Sequence, residues 1–182
     1  CKQIINTPNF LNSLIKLTQF NFNNDTNKEE DNQSLSIRDE SIRCLDSIHR
    51  YGDKQDQVEL VTNRYTRVLV SIINTAGGNE QEQDRGIWDG LVDIYFFIKE
   101  ILKGRQTDIF NPKPSLQPQP VLLKSCLEQI EDEGENEEIE AQLVNKEEGY
   151  GYNIMGNANR AKEMILNFFI GNSNPRPQWY DW

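Results

Sequence analysis

The side chains able to do chemistry are few and scattered. One histidine, His49, and three cysteines, Cys1, Cys44 and Cys126, occur in 182 residues, with no CxxC pair among them. Zinc sites and disulfide frameworks need close or repeated spacing, so neither is signalled and a reducing compartment is expected. His49 precedes Arg50 near the end of an apolar-striped run and reads as a surface or packing residue, at a place where a helix C-terminus favours a cation. Cys44 and Cys126 fall on apolar faces and are expected to be buried, inert thiols. Asp84, Asp89 and Asp93 lie on one helical run, and the last two share a face. Carboxylates at that spacing can ligate a metal, but no partner motif accompanies them, and a solvated stripe is the expectation. Asp132-Glu-Gly-Glu-Asn-Glu-Glu138 lacks the alternation of a calcium loop. GxGxxG, Walker and nucleophile motifs are missing from the sequence. The chain reads as a non-enzyme, with no catalytic residue, cofactor or metal.

The formal net charge is -10. Phosphate backbones and anionic membranes would be repelled, which leaves a protein partner with a basic surface as the expected ligand and excludes nucleic acid. The longest unbroken apolar run, Ile94–Ile98, is far short of the roughly 20 residues of a membrane span, so no membrane insertion is expected. Asn24-Asp-Thr26 and Asn32-Gln-Ser34 match the glycosylation sequon, but no signal peptide precedes them. A cytoplasmic location is expected, with cytoskeletal or nuclear as variants. The chain opens at Cys1 rather than Met, as a piece of a longer polypeptide would.

Helical periodicity organises nearly everything else. Residues 1–20 hold a first helix, with Thr7 as cap, Pro8 at its first position and Phe10, Leu11, Leu14 and Ile15 as its stripe. Residues 21–35 are rich in Asn, Asp, Glu and Lys and read as a flexible polar loop. From Ser36, an expected cap, Ile37, Ser41, Cys44, Leu45 and Ile48 share one face up to Gly52. Val58, Val61, Tyr65, Val68, Leu69, Ile72 and Ile73 continue the rhythm as a second long helix ending at Gly77-Gly78. Asp84 is the expected cap of a third, apolar on more than one face and therefore buried between layers, which Gly104 ends. Residues 36–104 thus form a helical core. Residues 105–120, with Pro112, Pro114, Pro118 and Pro120, read as an extended linker.

Residues 121–171 return to helix. Leu123, Cys126, Leu127 and Ile130 share a face, and an acidic stretch from Glu128 to Glu148 follows. That stretch reads as a solvated helix face and loop, or as a docking surface for a basic partner. Asn157 is the expected cap of a last helix carrying Ala158, Ala161, Met164, Ile165, Phe168 and Phe169. Residues 172–182 form an aromatic tail whose Trp179, Tyr180 and Trp182 would gain from burial, against the chain's own helices or in a partner.

Consecutive amphipathic helices joined by Gly-containing turns are the pattern of an α-solenoid. Ile37-Arg38 through Ser41, Leu45 and Ile48 resembles a HEAT-type helix, and Val68-Leu-Val-Ser-Ile-Ile-Asn-Thr-Ala-Gly77 resembles the end of an armadillo repeat's third helix. Cys126-Leu-Glu-Gln-Ile, Glu135-Asn-Glu-Glu-Ile139 and Ala161 to Phe169 are similar to the terminal armadillo repeat of karyopherin-alpha-type adaptors, with a long insertion. The resemblance implies an all-α fold, an armadillo/HEAT-like segment of stacked helices, with a compact helical bundle as the alternative. It also implies a protein-binding surface. The family pairs an Asn with a Trp four residues earlier. Asn74 matches the Asn, whereas Val70 stands where the Trp would be.

The expected function is a non-enzymatic scaffold or adaptor, part of a larger chain or assembly, with a regulatory helical domain of a larger enzyme or channel as the alternative. The expected binding residues are Asn74, Glu135, Glu137, Glu138, Trp179, Tyr180 and Trp182.

Overall fold

In the computed structural model, residues 9–20, 28–75, 80–107, 109–110, 112–132, 134–144 and 153–167 are described. They are all-helical apart from short connections and one isolated bridge: α1 (Phe10–Leu17), α2 (Lys28–Tyr51), α3 (Lys54–Thr62), α4 (Tyr65–Thr75), α5 (Glu80–Lys103), α6 (Pro120–Asp132), α7 (Glu135–Ala141), a 3₁₀ turn (Gln142–Val144) and α8 (Ile154–Asn167).

The helix boundaries follow local chemistry. α2 begins at Lys28, so residues 28–35 belong to a helix and Ser36 is not its cap. Good helix formers such as Lys28, Glu29, Glu30 and Gln33 support it intrinsically. Ser34 and Ser41, seven residues apart on one face, are buried, and α2 packs on α1. At the other end, a Cβ on Gly52 would meet the Ile48 carbonyl oxygen at 2.4 Å, so the chain turns there on a residue without one. Asp53 then caps α3, accepting hydrogen bonds from the Gln55 and Asp56 amides, while the Asp56 carboxylate accepts from the Asp53 amide at 2.7 Å. This is a reciprocal capping box.

The expected single helix from Val58 to Ile73 is two helices. Arg64 adopts φ 59°, breaking the run between α3 and α4. Gln129 of α6 reaches into the break, donating to the Val61 carbonyl at 3.1 Å, which also accepts from the Arg64 amide at 3.0 Å. The apolar periodicity passes through the two-residue interruption, which is why it read as continuous. α5 begins at Glu80 rather than at Asp84, and α8 is capped by Asn153, whose side chain accepts from the Gly156 amide; Asn157 is a buried residue of the first turn.

α5 is the central element. It packs against α4, α6 and α8, burying Ile87, Leu91, Ile94, Phe97, Ile98 and Ile101, as its many-sided apolar pattern requires. Gly90 lets α4 approach, with Ile73 Cγ1 only 3.1 Å from where a Cβ would stand. α3 packs on α6, α4 on α7 and α5 on α8, so each helix of one consecutive triplet meets its counterpart three places later. α4 also packs on α6, and α2 is joined to α5 by side-chain bridges. No helix among the described residues is long and apolar enough to cross a membrane.

Candidate protein-binding surface

Two regions could do more than fill the core: a polar knot joining α2, α5 and the proline-rich segment, and an acidic face over α6 and α7.

The knot centres on Arg105, immediately after Gly104 ends α5 with φ 75°. Its side chain is 8% exposed. Its guanidinium donates to the main-chain oxygens of Arg50 (2.9 Å), Gly52 (2.5 Å) and Pro114 (3.0 Å), and to Glu100 Oε2 at 2.9 Å. A rigid, planar cation thus caps the carbonyl end of α2 and fixes the linker with one group. Main-chain hydrogen bonds in both directions between Arg105 and Leu116 close the base of the linker loop. Gln119 extends the knot, donating to Gln57 Oε1 at 2.7 Å from its side chain and to the Ile101 carbonyl from its amide. The proline-rich linker is therefore pinned at both ends.

Beside the knot, His49 is 1% exposed. Its ring meets Phe97 edge-on at 5.1 Å and lies 6.2 Å from Tyr65. Neither ring nitrogen has a hydrogen-bond partner, and the Tyr65 hydroxyl is likewise buried without one. Glu100 Oε2 stands 3.6 Å from His49 Nε2. Burial, helped by the positive fields of Arg50, Arg105 and Lys113, pushes the His49 pKa down to about 3, so of the two expected roles, surface or packing, it takes the packing one, as a neutral core residue and not a helix-end cation. Burial also raises the Glu100 pKa, against the pull of Arg105.

Asp93 departs from the expected solvated stripe. It is buried, and its carboxylate accepts from Arg50 Nη2 at 2.9 Å, while Arg50 Nε donates to Asp46. Burial and the neighbouring Asp46 charge raise its pKa to about 7, outweighing Arg50. Asp89 stays exposed beside Arg85, and the Asp84 side chain lies outside those described. Cys126 is buried as expected, but Cys44 is only half-buried. No cluster of three or more potential metal ligands occurs among the described residues.

The acidic face gathers the expected carboxylates only in part. Glu137 is exposed and Glu138 half-buried on α7, with Ile139 buried beneath them; the Glu135 side chain lies outside the described set. Between α6, α7 and α8 runs a groove of about 250 Å³, lined by Leu127, Ile139, Ile165 and Leu166, with Glu131, Asn136, Glu140 and Lys162 around it. Lys162 Nζ and Glu140 Oε1 pair at 2.7 Å across its edge. Asn74 lies in the last turn of α4, its side chain outside those described, and Val70 is buried in the core. Trp179, Tyr180 and Trp182 lie outside the described residues.

Arg105, Gln57 and Gln119 were not singled out in the sequence. The only signal was Arg105's place directly after a helix-ending glycine. Comparison with protein-family models, curated proteins and solved structures finds no match for this chain. The class defined by its architecture is an all-helical protein.

Proposed function

We propose that the chain is a non-enzymatic protein-interaction module, an armadillo/HEAT-like stack that docks a basic partner on the acidic face of α6 and α7. The observation that carries this reading is the packing of α3 on α6, α4 on α7 and α5 on α8. Contact between counterparts three helices apart is what stacked three-helix units produce, and stacked units serve as extended binding surfaces. In that register α4 holds the middle place of its triplet and α5 the third, so the proposal does not lean on Asn74.

The charge distribution supports the choice of face. Between Ser125 and Asn145 the sequence has eight acidic residues and no Lys or Arg. Glu128, Glu131, Asp132, Glu137 and Glu140 are exposed there. Such a field steers a basic partner and raises its association rate. Affinity purification followed by zero-length carboxylate-to-lysine cross-linking tests the reading. A partner whose lysines couple to residues 128–140 supports it; partners coupled only elsewhere on the chain contradict it.

A further inference from the structure

We propose that this chain associates with itself head to tail, the linker-loop tip Ile109-Phe110 of one copy seating in the α6–α7–α8 groove of the next. Ile109 is 93% and Phe110 95% exposed, adjacent to one another at the tip. Large apolar side chains presented together in this way mark contact sites more often than chance exposure does.

The tip is held on a built base. Arg105 and Leu116 exchange main-chain hydrogen bonds of 2.9 and 2.7 Å, the Arg105 guanidinium holds the Pro114 carbonyl, and Thr107 Oγ1 donates to the Lys113 carbonyl at 3.0 Å. Fixing the base lowers the entropy lost when the tip is bound. Lys113 is itself held over the Tyr51 ring at 5.0 Å.

The groove fits such an anchor. At about 250 Å³ it falls below the usual range for small-molecule sites and suits one or two side chains. Leu127, Ile139 and Ile165 form an apolar floor, and Leu166 is left 47% exposed at its edge. The charges complement each other. With Arg105 already paired to Glu100, Lys99, Lys103 and Lys113 outnumber Asp108 in the sequence around the loop, whereas the groove carries Glu131 and Glu140 against Lys162, which pairs with Glu140.

A second copy is favoured over the chain's own groove by placement. The loop base adjoins the first residue of α6, whereas Glu131 lies in its last turn, about 16 Å along the axis at 1.5 Å per residue. The near-complete exposure of both tip residues shows that the tip is not seated in its own groove. Tip and groove are different surfaces, so the contact is heterologous and propagates unless it closes into a ring. The small contact makes it weak.

Sedimentation velocity of the full chain over about 5–200 µM tests this, in the range where weak contacts titrate. The wild-type average mass is expected to rise through dimer and beyond with concentration, and to fall at high salt. Phe110→Asp and Leu166→Glu should each remain monomeric with unchanged circular dichroism. Mixed one to one, they should form a dimer and nothing larger, because each supplies the surface the other lacks. A wild-type chain that stays monomeric throughout, including one whose tip engages a different protein, overturns the proposal. So does self-association insensitive to Phe110→Asp, or a mixture of folded variants that fails to pair.

Discussion

Arg105 joins α2, the end of α5 and the linker through one guanidinium. Removing it leaves the α2 carbonyls without their donor and Glu100 without its partner in a largely buried place, so Arg105→Ala is expected to destabilise by about 3–5 kcal/mol. Arg105→Lys should recover little, because an ammonium cannot span the same acceptors with a planar fork. Chemical denaturation of the two variants checks both statements. His49 and Asp93 give the fold opposed pH dependences. With a folded pKa of about 3 against 6.5 unfolded, His49 makes the unfolded chain bind more protons between those values. Its contribution is full above pH 6.5 and is lost as pH falls toward 3, with a slope of at most about 1.4 kcal/mol per pH unit. Asp93 behaves oppositely: its pKa of about 7 against 3.8 makes the folded chain bind the extra proton, so that contribution is full below 3.8 and lost as pH rises through 7. His49→Leu should therefore gain on the wild type progressively as pH falls from 6.5 to 4, and Asp93→Asn as pH rises from 4 to 7. Stability of the three proteins measured across that range checks the signs. A variant whose difference from wild type stays constant with pH would contradict them.

At the scale of elements, the two left-handed glycines separate two costs that are often merged. Gly104 and Gly134 have φ of 75° and 69°. Among the described residues a Cβ at Gly134 meets nothing nearer than the Glu137 carboxylate at 3.6 Å, so Gly134→Ala should cost about 1–2 kcal/mol, the backbone penalty alone. At Gly104 the same atom would stand 2.3 Å from the Leu116 carbonyl oxygen, which already accepts from the Arg105 amide. Gly104→Ala is expected to exceed Gly134→Ala by at least about 1 kcal/mol in thermal or denaturant unfolding. These elements also show what periodicity can and cannot reveal. The stripe of α5 identified its burial on several sides, and the buried face of α6 was read residue by residue, because apolar spacing reports which side is dry. The break at Arg64 is not legible in the sequence, since the apolar stripe runs through it and one of its supports, Gln129, is distant in sequence. The early start of α2 was missed because its polar composition masks good helix propensity and a small buried face at Ser34 and Ser41. Asp93 looked solvated because its partner, Arg50, lies on another helix.

Over the whole molecule, α5 packs against α4, α6 and α8, while α3 meets α6 and α4 meets α7. The polar knot ties α2 and the linker to this core, leaving the acidic face of α6 and α7 on the outside. The acidic candidates Glu137 and Glu138 could be read as a surface from sequence because a run of like charge has to be solvated. The groove beside them could not, since it exists only where three helices meet. The proposed docking role is tested most directly by charge reversal at these two positions. Glu137→Lys/Glu138→Lys should leave the melting temperature within a few degrees of the wild type, because surface substitutions are usually worth within about 0.5 kcal/mol. Partner capture, quantified by mass spectrometry against the wild type at matched protein and salt, should fall at least about tenfold, with the cross-links to residues 128–140 lost. Capture of the same partner at unchanged yield by the folded, charge-reversed chain would contradict the acidic face as its docking surface.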